Sequence, residues 1–152
     1  MSKANPAPQP QDRKLADFLC FAIYSANLTF GKAYKPILDK LGLTYTQYIT
    51  VIALYEESGQ MVSELGEKLF LESNTLTPIL KKLEALGYVT RQRSTADERQ
   101  VLVSLTDEGR ALRERAFDAS LSDACGLTGE EFAETRDAVL RLRNNLAKSL
   151  EK

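Results

Sequence analysis

The 152-residue chain contains no histidine and only two cysteines, Cys20 and Cys125. Without histidine there is no Ser-His-Asp triad, no Cys-His pair and no histidine-bearing zinc site, and two thiols cannot build a Cys-only zinc site within one chain. No metal and no cofactor is expected, and any chemistry must rest on thiols, carboxylates, lysines or tyrosines. No apolar run approaches the roughly 18 residues of a membrane span. Residues 1–11 are polar and proline-rich, unlike a signal peptide. The expectation is a soluble, cytoplasmic protein with no membrane partner, a disordered tail over residues 1–12 and a single domain over 13–152. An excess of basic charge is lacking too: the net charge is −1 and the pI about 5.6. That is not the balance of a chain that coats nucleic acid.

With 43% apolar residues the chain can still bury a real core. Its most informative stretch is residues 63–105, which reads as two short helices followed by a charged hairpin, a helix-turn-helix with a wing. The first helix spans Ser63 to Phe70, with Leu65 and Leu69 one turn apart on the buried side. The second begins after Glu72 and Ser73, either of which can cap it, and ends at Gly87. Leu76, Leu80, Leu83 and Leu86 repeat at helical spacing. Ser73, Asn74, Thr75, Thr77, Lys81 and Lys82 are thereby left for contact with something else. Pro78 inside this helix removes one backbone hydrogen bond unless it falls within the first turn. Residues 88–94 and 99–105 are short runs rich in Val, Tyr and Thr around a polar tip, as in a hairpin. Such a helix can enter a DNA major groove while the hairpin reaches the backbone or minor groove. Between Ser73 and Arg99 five basic residues (Lys81, Lys82, Arg91, Arg93, Arg99) face three acidic ones (Glu84, Asp97, Glu98). So small a surplus leaves geometry and helix N-termini to supply much of any affinity. The alternative is a small α+β packing unit that binds nothing.

The flanks are helical. Residues 15–34 form a long helix with apolar residues nearly all round, which must be buried on more than one side; Pro36 bends or ends it. In so short a chain a partner subunit is the simplest cover. Thr44 with Gln47, and Leu43 with Tyr48, are spaced as a capping box and a hydrophobic staple opening a helix that stops at Gly59. Thr106 caps a further helix, with Asp107 and Glu108 in its first turn, running to Cys125 and Gly126. Thr128 with Glu131 opens a last helix striped by Phe132, Val139, Leu142 and Leu146. The fold class is therefore mainly α with a small β-hairpin wing (α+β): a winged helix-turn-helix region over 44–106 with dimerisation helices over 13–43 and 107–152. The alternative is that the flanking helices complete a monomeric bundle.

Over nearly its whole length this order of elements resembles the MarR family of dimeric winged-helix regulators. The resemblance is carried by Leu65, the run LFLESNTLTPILKKLEALGYVTRQRS from residue 69, Asp97 and Arg99 in the wing, and VLVSLTDEG at 101–109. It implies a regulator rather than an enzyme, with duplex operator DNA as partner, Arg99 as the minor-groove reader and Asp97 as its orienting partner. Arg93, Pro78 and the polar residues of the second helix join the DNA-contacting set. Many relatives carry a basic residue between Asp97 and Arg99; here Glu98 disfavours phosphate contact.

Taken alone, a cysteine in an apolar helix is more often inert core than reactive. Cys20 together with Tyr24, Tyr34, Tyr45 and the late Cys125, however, resembles the two-cysteine branch of the organic-hydroperoxide-sensing repressors. That resemblance implies that Cys20 is oxidised by an organic hydroperoxide, that Tyr34 and Tyr45 hydrogen-bond its thiolate, and that Tyr24 lines the same pocket. It also implies that Cys125 of the other subunit resolves the sulfenic acid as a disulfide, with cellular thiols as reductant. Fourteen residues along a continuous helix span roughly 21 Å, so Cys20 cannot reach Tyr34 of its own chain. Two rivals remain: a regulator of the same family responding to a small aromatic ligand, with Cys20 a spectator, and a thiol peroxidase.

Overall fold

The computed structural model describes residues 10–116, 121 and 123–151. Its α-helices are α1 (Leu19–Leu41), α2 (Tyr45–Glu56), α3 (Val62–Leu69), α4 (Ser73–Ala85), α5 (Asp107–Arg115) and α6 (Gly129–Leu150), and its strands β1 (Gln60–Met61), β2 (Val89–Arg93) and β3 (Val101–Leu105). The winged helix-turn-helix is α3, α4 and the β2–β3 hairpin. None of the described helices is long and apolar enough to cross a membrane.

Apolar patterning predicts a helix over residues 15–34. Leu15–Asp17 instead forms a 3-10 turn, and α1 begins at Leu19 and continues through Pro36 to Leu41. Proline removes only one N–H, and the Lys32 carbonyl it leaves lies on an exposed part of the helix. Beyond it Leu38 is buried, and the helix stops at Gly42, whose φ of 68° is left-handed backbone that favours glycine. The Thr44 capping box forms as spaced: the Gln47 N–H donates to Thr44 Oγ1 at 3.3 Å and the Thr44 N–H to Gln47 Oε1 at 3.0 Å. Leu43 and Tyr48 are both buried behind it. α2 ends at Glu56 rather than near Gly59, because the buried Gln60 side chain donates to the Ala53 and Glu57 carbonyls and closes the helix there.

The wing has a third strand that residue patterning did not reveal. β1 is two residues long and pairs antiparallel with β3, Gln60 opposite Val103 and Met61 opposite Leu102, giving the order β1-β3-β2. A two-residue strand carries no alternation to detect. The core sits beneath: Leu54, Leu65, Leu76, Leu83 and Val103 are each fully inaccessible to solvent. α5 docks against the sheet through Gly109, where a Cβ would lie 2.3 Å from the Tyr88 carbonyl oxygen. Only glycine permits that approach. Thr106 caps α5 as expected, its Oγ1 accepting from the Gly109 N–H at 3.1 Å. The helix ends at Arg115; of its expected continuation, residues 117–120 and 122 lie outside the described residues, and residues 123–126 form a turn rather than helix, so it does not reach Cys125 as expected.

The flanks contrast with this core. α1 buries only Leu38, and α6 buries no residue. Leu19, Tyr24, Leu28 and Phe30 on α1, and Phe132, Val139 and Leu146 on α6, are exposed.

Candidate nucleic-acid interface and thiol site

α3 and α4 meet at a tight turn through Phe70, which adopts a left-handed φ of 57° and is stacked under the Arg143 guanidinium at 4.4 Å. α4 buries Leu76, Leu80 and Leu83, whereas Leu86, expected on the same stripe, is exposed beyond the last helical residue. Ser73, Asn74, Thr75, Pro78, Lys81 and Lys82 are exposed and Thr77 is half-buried. Neither expected cap operates: Glu72 occupies the N-cap position but makes no side-chain cap bond, and Ser73 is already helical. The α4 N-terminus thus lacks side-chain capping, the condition in which a helix end favours an anion. The Thr77 hydroxyl donates back to the Ser73 carbonyl at 2.7 Å, so toward a ligand it is an acceptor. Pro78, the sixth helical residue, lies past the first turn and leaves the Asn74 carbonyl without its usual i+4 donor.

In the wing, Ser94 Oγ accepts from the N–H groups of Ala96 and Asp97, which folds the tip. Asp97 Oδ1 accepts from the Arg99 backbone N–H at 3.1 Å and from its Nε at 3.2 Å. The Arg99 side chain nevertheless remains 90% exposed, a cation held at its root and presented to solvent. Arg93 is exposed as well, its Nη1 donating to the Glu98 carbonyl at 3.2 Å across the hairpin, which braces the wing. The sequence reading did not single out Arg91. From β2 it reaches α4 and pairs with Glu84 at 3.0 Å, holding the Glu84 carboxyl below its usual pKa. Its only sequence signal was a basic residue on the strand adjoining the helix. Between α4 and the wing lies a cleft of about 430 Å³ bordered by Ser63, Ser73, Thr77, Arg91, Arg99 and Gln100.

The second constellation is aromatic. Tyr34 of α1 meets Tyr45 of α2 at 5.4 Å between ring centroids and Tyr48 at 6.1 Å. The Tyr34 hydroxyl is pushed above its usual pKa, first by burial, then by Tyr45, Tyr48 and Cys125. Tyr45 is raised too, by burial and then Tyr48. Both phenols therefore stay protonated at neutral pH and are hydrogen-bond donors. Cys125, in the turn before α6, is near enough to add to the rise at Tyr34 and lines an apolar cavity of about 320 Å³ with Phe30, Leu121 and Leu127; Phe30 also lines the neighbouring cavity that holds Tyr34 and Tyr45. Cys20 is the second residue of the unbroken α1 and is exposed, with Tyr24 one turn along, also exposed. Fourteen residues of continuous helix separate it from Tyr34 by roughly 21 Å. Within one chain, then, Tyr34, Tyr45 and Cys125 come together and Cys20 and Tyr24 stand apart. The participation of Tyr48, read from sequence only as a packing staple, emerges from the fold.

These features have counterparts. The family model for the transcriptional regulator SarA/Rot matches residues 32–115, from the middle of α1 to the end of α5. The organic hydroperoxide resistance transcriptional regulator of Bacillus subtilis is 42% identical over 135 residues, 88% of this chain and 92% of the relative. The chain belongs to the MarR and SarA/Rot group of transcriptional regulators. Its relatives in this group are regulators rather than enzymes, and its branch is that of the organic hydroperoxide resistance regulators. As a MarR-type regulator it has the expected fold: AbfR, a Staphylococcus epidermidis protein, superposes in its reduced, DNA-bound structure with a TM-score of 0.79. That match has 38% identity and covers 94% of this chain and 99% of the other. Disulfide-formed AbfR matches at 0.64, again at 38% identity, over 91% and 93%.

Proposed function

We propose that this regulator is a homodimeric repressor that binds a palindromic operator and releases it when an organic hydroperoxide oxidises Cys20. The observation that carries the reading is the cluster of Tyr34, Tyr45 and Cys125, with two neutral phenol donors and a thiol but no peroxidatic cysteine within reach. A second copy, antiparallel across the exposed faces of α1 and α6, supplies Cys20 and Tyr24 to that cluster. The unburied apolar residues of both helices support the same dimer.

Cys20 as thiolate attacks the distal oxygen of the hydroperoxide: an S–O bond forms, the O–O bond breaks, and the leaving alkoxide takes up a proton to become the alcohol. The phenols stabilise the thiolate by hydrogen bonding to its charged form. The thiol of Cys125 from the other subunit then attacks the sulfenic sulfur, an S–S bond forms and water leaves. Cellular thiols reset the pair by exchange. A disulfide needs Cα atoms within about 7 Å, so where the reduced pair stands farther apart than that, closing it must move the α1 and α6 arms. Those arms set the distance between the recognition helices, which on a palindrome must match one DNA turn of roughly 34 Å. Better superposition on the reduced, DNA-bound relative than on its disulfide form, at equal identity, supports a redox-dependent shape.

On DNA, α4 enters the major groove with Ser73, Asn74, Thr75 and Thr77 leading and Lys81 and Lys82 on phosphates, while Arg99, anchored by Asp97, enters the minor groove. Operator binding on the fragment upstream of the protein's own gene, before and after stoichiometric organic hydroperoxide, tests the reading. Wild type should release DNA and form a reducible covalent dimer; Cys20→Ser should do neither, and Cys125→Ser should form no covalent dimer. Release by Cys20→Ser equal to wild type would instead favour a small-ligand inducer.

A further inference from the structure

The cleft between α4 and the wing is bordered by two arginines, the exposed Arg99 and the largely enclosed Arg91. Arg91 enters from β2 with its side chain 26% exposed; Nη2 is held by Glu84 at 3.0 Å, and its buried Nε has no hydrogen-bond partner among the described residues. A guanidinium has five N–H donors in a planar fork suited to phosphate oxygens. Glu84 therefore fixes the side chain's orientation and leaves donors available. The other polar residues around the cleft are Ser63, Ser73, Thr77, Arg99 and Gln100, with Leu80 and Val101 among its apolar walls. No carboxylate is among the residues lining it; the two that pair with its arginines, Glu84 and Asp97, stand outside the lining, so the face turned to the cleft offers guanidinium donors although the chain as a whole carries a net charge of −1.

We propose that this cleft seats one phosphodiester of the DNA backbone in each protomer, with Arg91 as its anchoring cation and Glu84 as the positioning residue that holds Arg91 at the root of the wing. This rests on the DNA-binding reading above and adds a contact separate from the exposed Arg99. Such a contact fixes register on the duplex without reading sequence. It also explains how a chain without surplus positive charge gathers affinity, by burying one well-oriented cation against the groove edge.

The test is binding to the operator fragment and to an unrelated duplex of equal length across a salt series, for wild type, Arg91→Met, Arg91→Lys and Glu84→Gln. Arg91→Met should weaken both duplexes by the same factor and lower the slope of log K against log salt by about 0.9 per protomer, roughly two for a dimer. Arg91→Lys should keep the wild-type slope, since the charge remains, and lose only part of the affinity. Glu84→Gln should keep the slope as well. A slope unchanged in Arg91→Met, or a loss in Glu84→Gln equal to that in Arg91→Met, would overturn the phosphate seat and leave Arg91 a structural brace. Wild type failing to bind any duplex would overturn the DNA-binding reading and this one with it, whereas a normal wild-type slope beside an unaltered Arg91→Met slope removes this inference alone.

Discussion

The winged region and the flanking helices have similar apolar content but opposite fates within one chain. Around α2, α3, α4 and β3, leucines and valines reach complete burial. Along α1 and α6, side chains as large as Phe30, Phe132 and Leu146 remain in solvent. The difference separates a unit that closes its own core from one whose core must be completed by a second copy. It also separates the proposed functions: the self-sufficient half presents α4 and the wing, and the unfinished half carries the thiol chemistry.

The comparison can be broken from either side. Leu54→Ala, in the fully buried part of α2, should destabilise the fold by about 2–5 kcal/mol, read as a lower midpoint in thermal or urea denaturation. If the winged core were no more closed than the arms, the loss would be small. Phe132→Glu combined with Leu146→Glu on α6 should instead weaken self-association by about a hundredfold or more, since burying two unpaired carboxylates opposes what two apolar side chains favoured. Sedimentation equilibrium would then report monomer with far-UV helicity largely retained; an unchanged assembly would mean that the α6 stripe is not an interface. The smallest effect is expected at the boundary between the two regions. Thr44→Ala removes the α2 capping box and should cost about 1 kcal/mol without altering association.

Much of this is legible in the sequence. The Thr44 and Thr128 capping boxes and the Thr106 cap depend on contacts three residues apart, and all three form. The buried stripe Leu76, Leu80 and Leu83 follows from helical period alone. Less legible were features whose cause lies far along the chain. β1 exists because β3 offers it a partner, and α2 ends early because Gln60 folds back onto it. α1 survives Pro36 because one missing bond on an exposed face is outweighed by what packs beyond it. Arg93 offered the same charge as Arg91, yet one braces the wing tip and the other borders the cleft.

The sequence by itself determined the order and type of the elements, the caps that start them, and the chemistry available: two thiols, several phenols and no histidine. These are properties of residue identity and short spacing. Only the tertiary structure decided that Tyr34, Tyr45, Tyr48 and Cys125 share a neighbourhood while Cys20 lies at the far end of the same helix. It also decided that Arg91 pairs across to Glu84. Those relations depend on how rigid helices are packed, and a helix fixes distances along its axis while leaving its neighbours to be chosen by the fold.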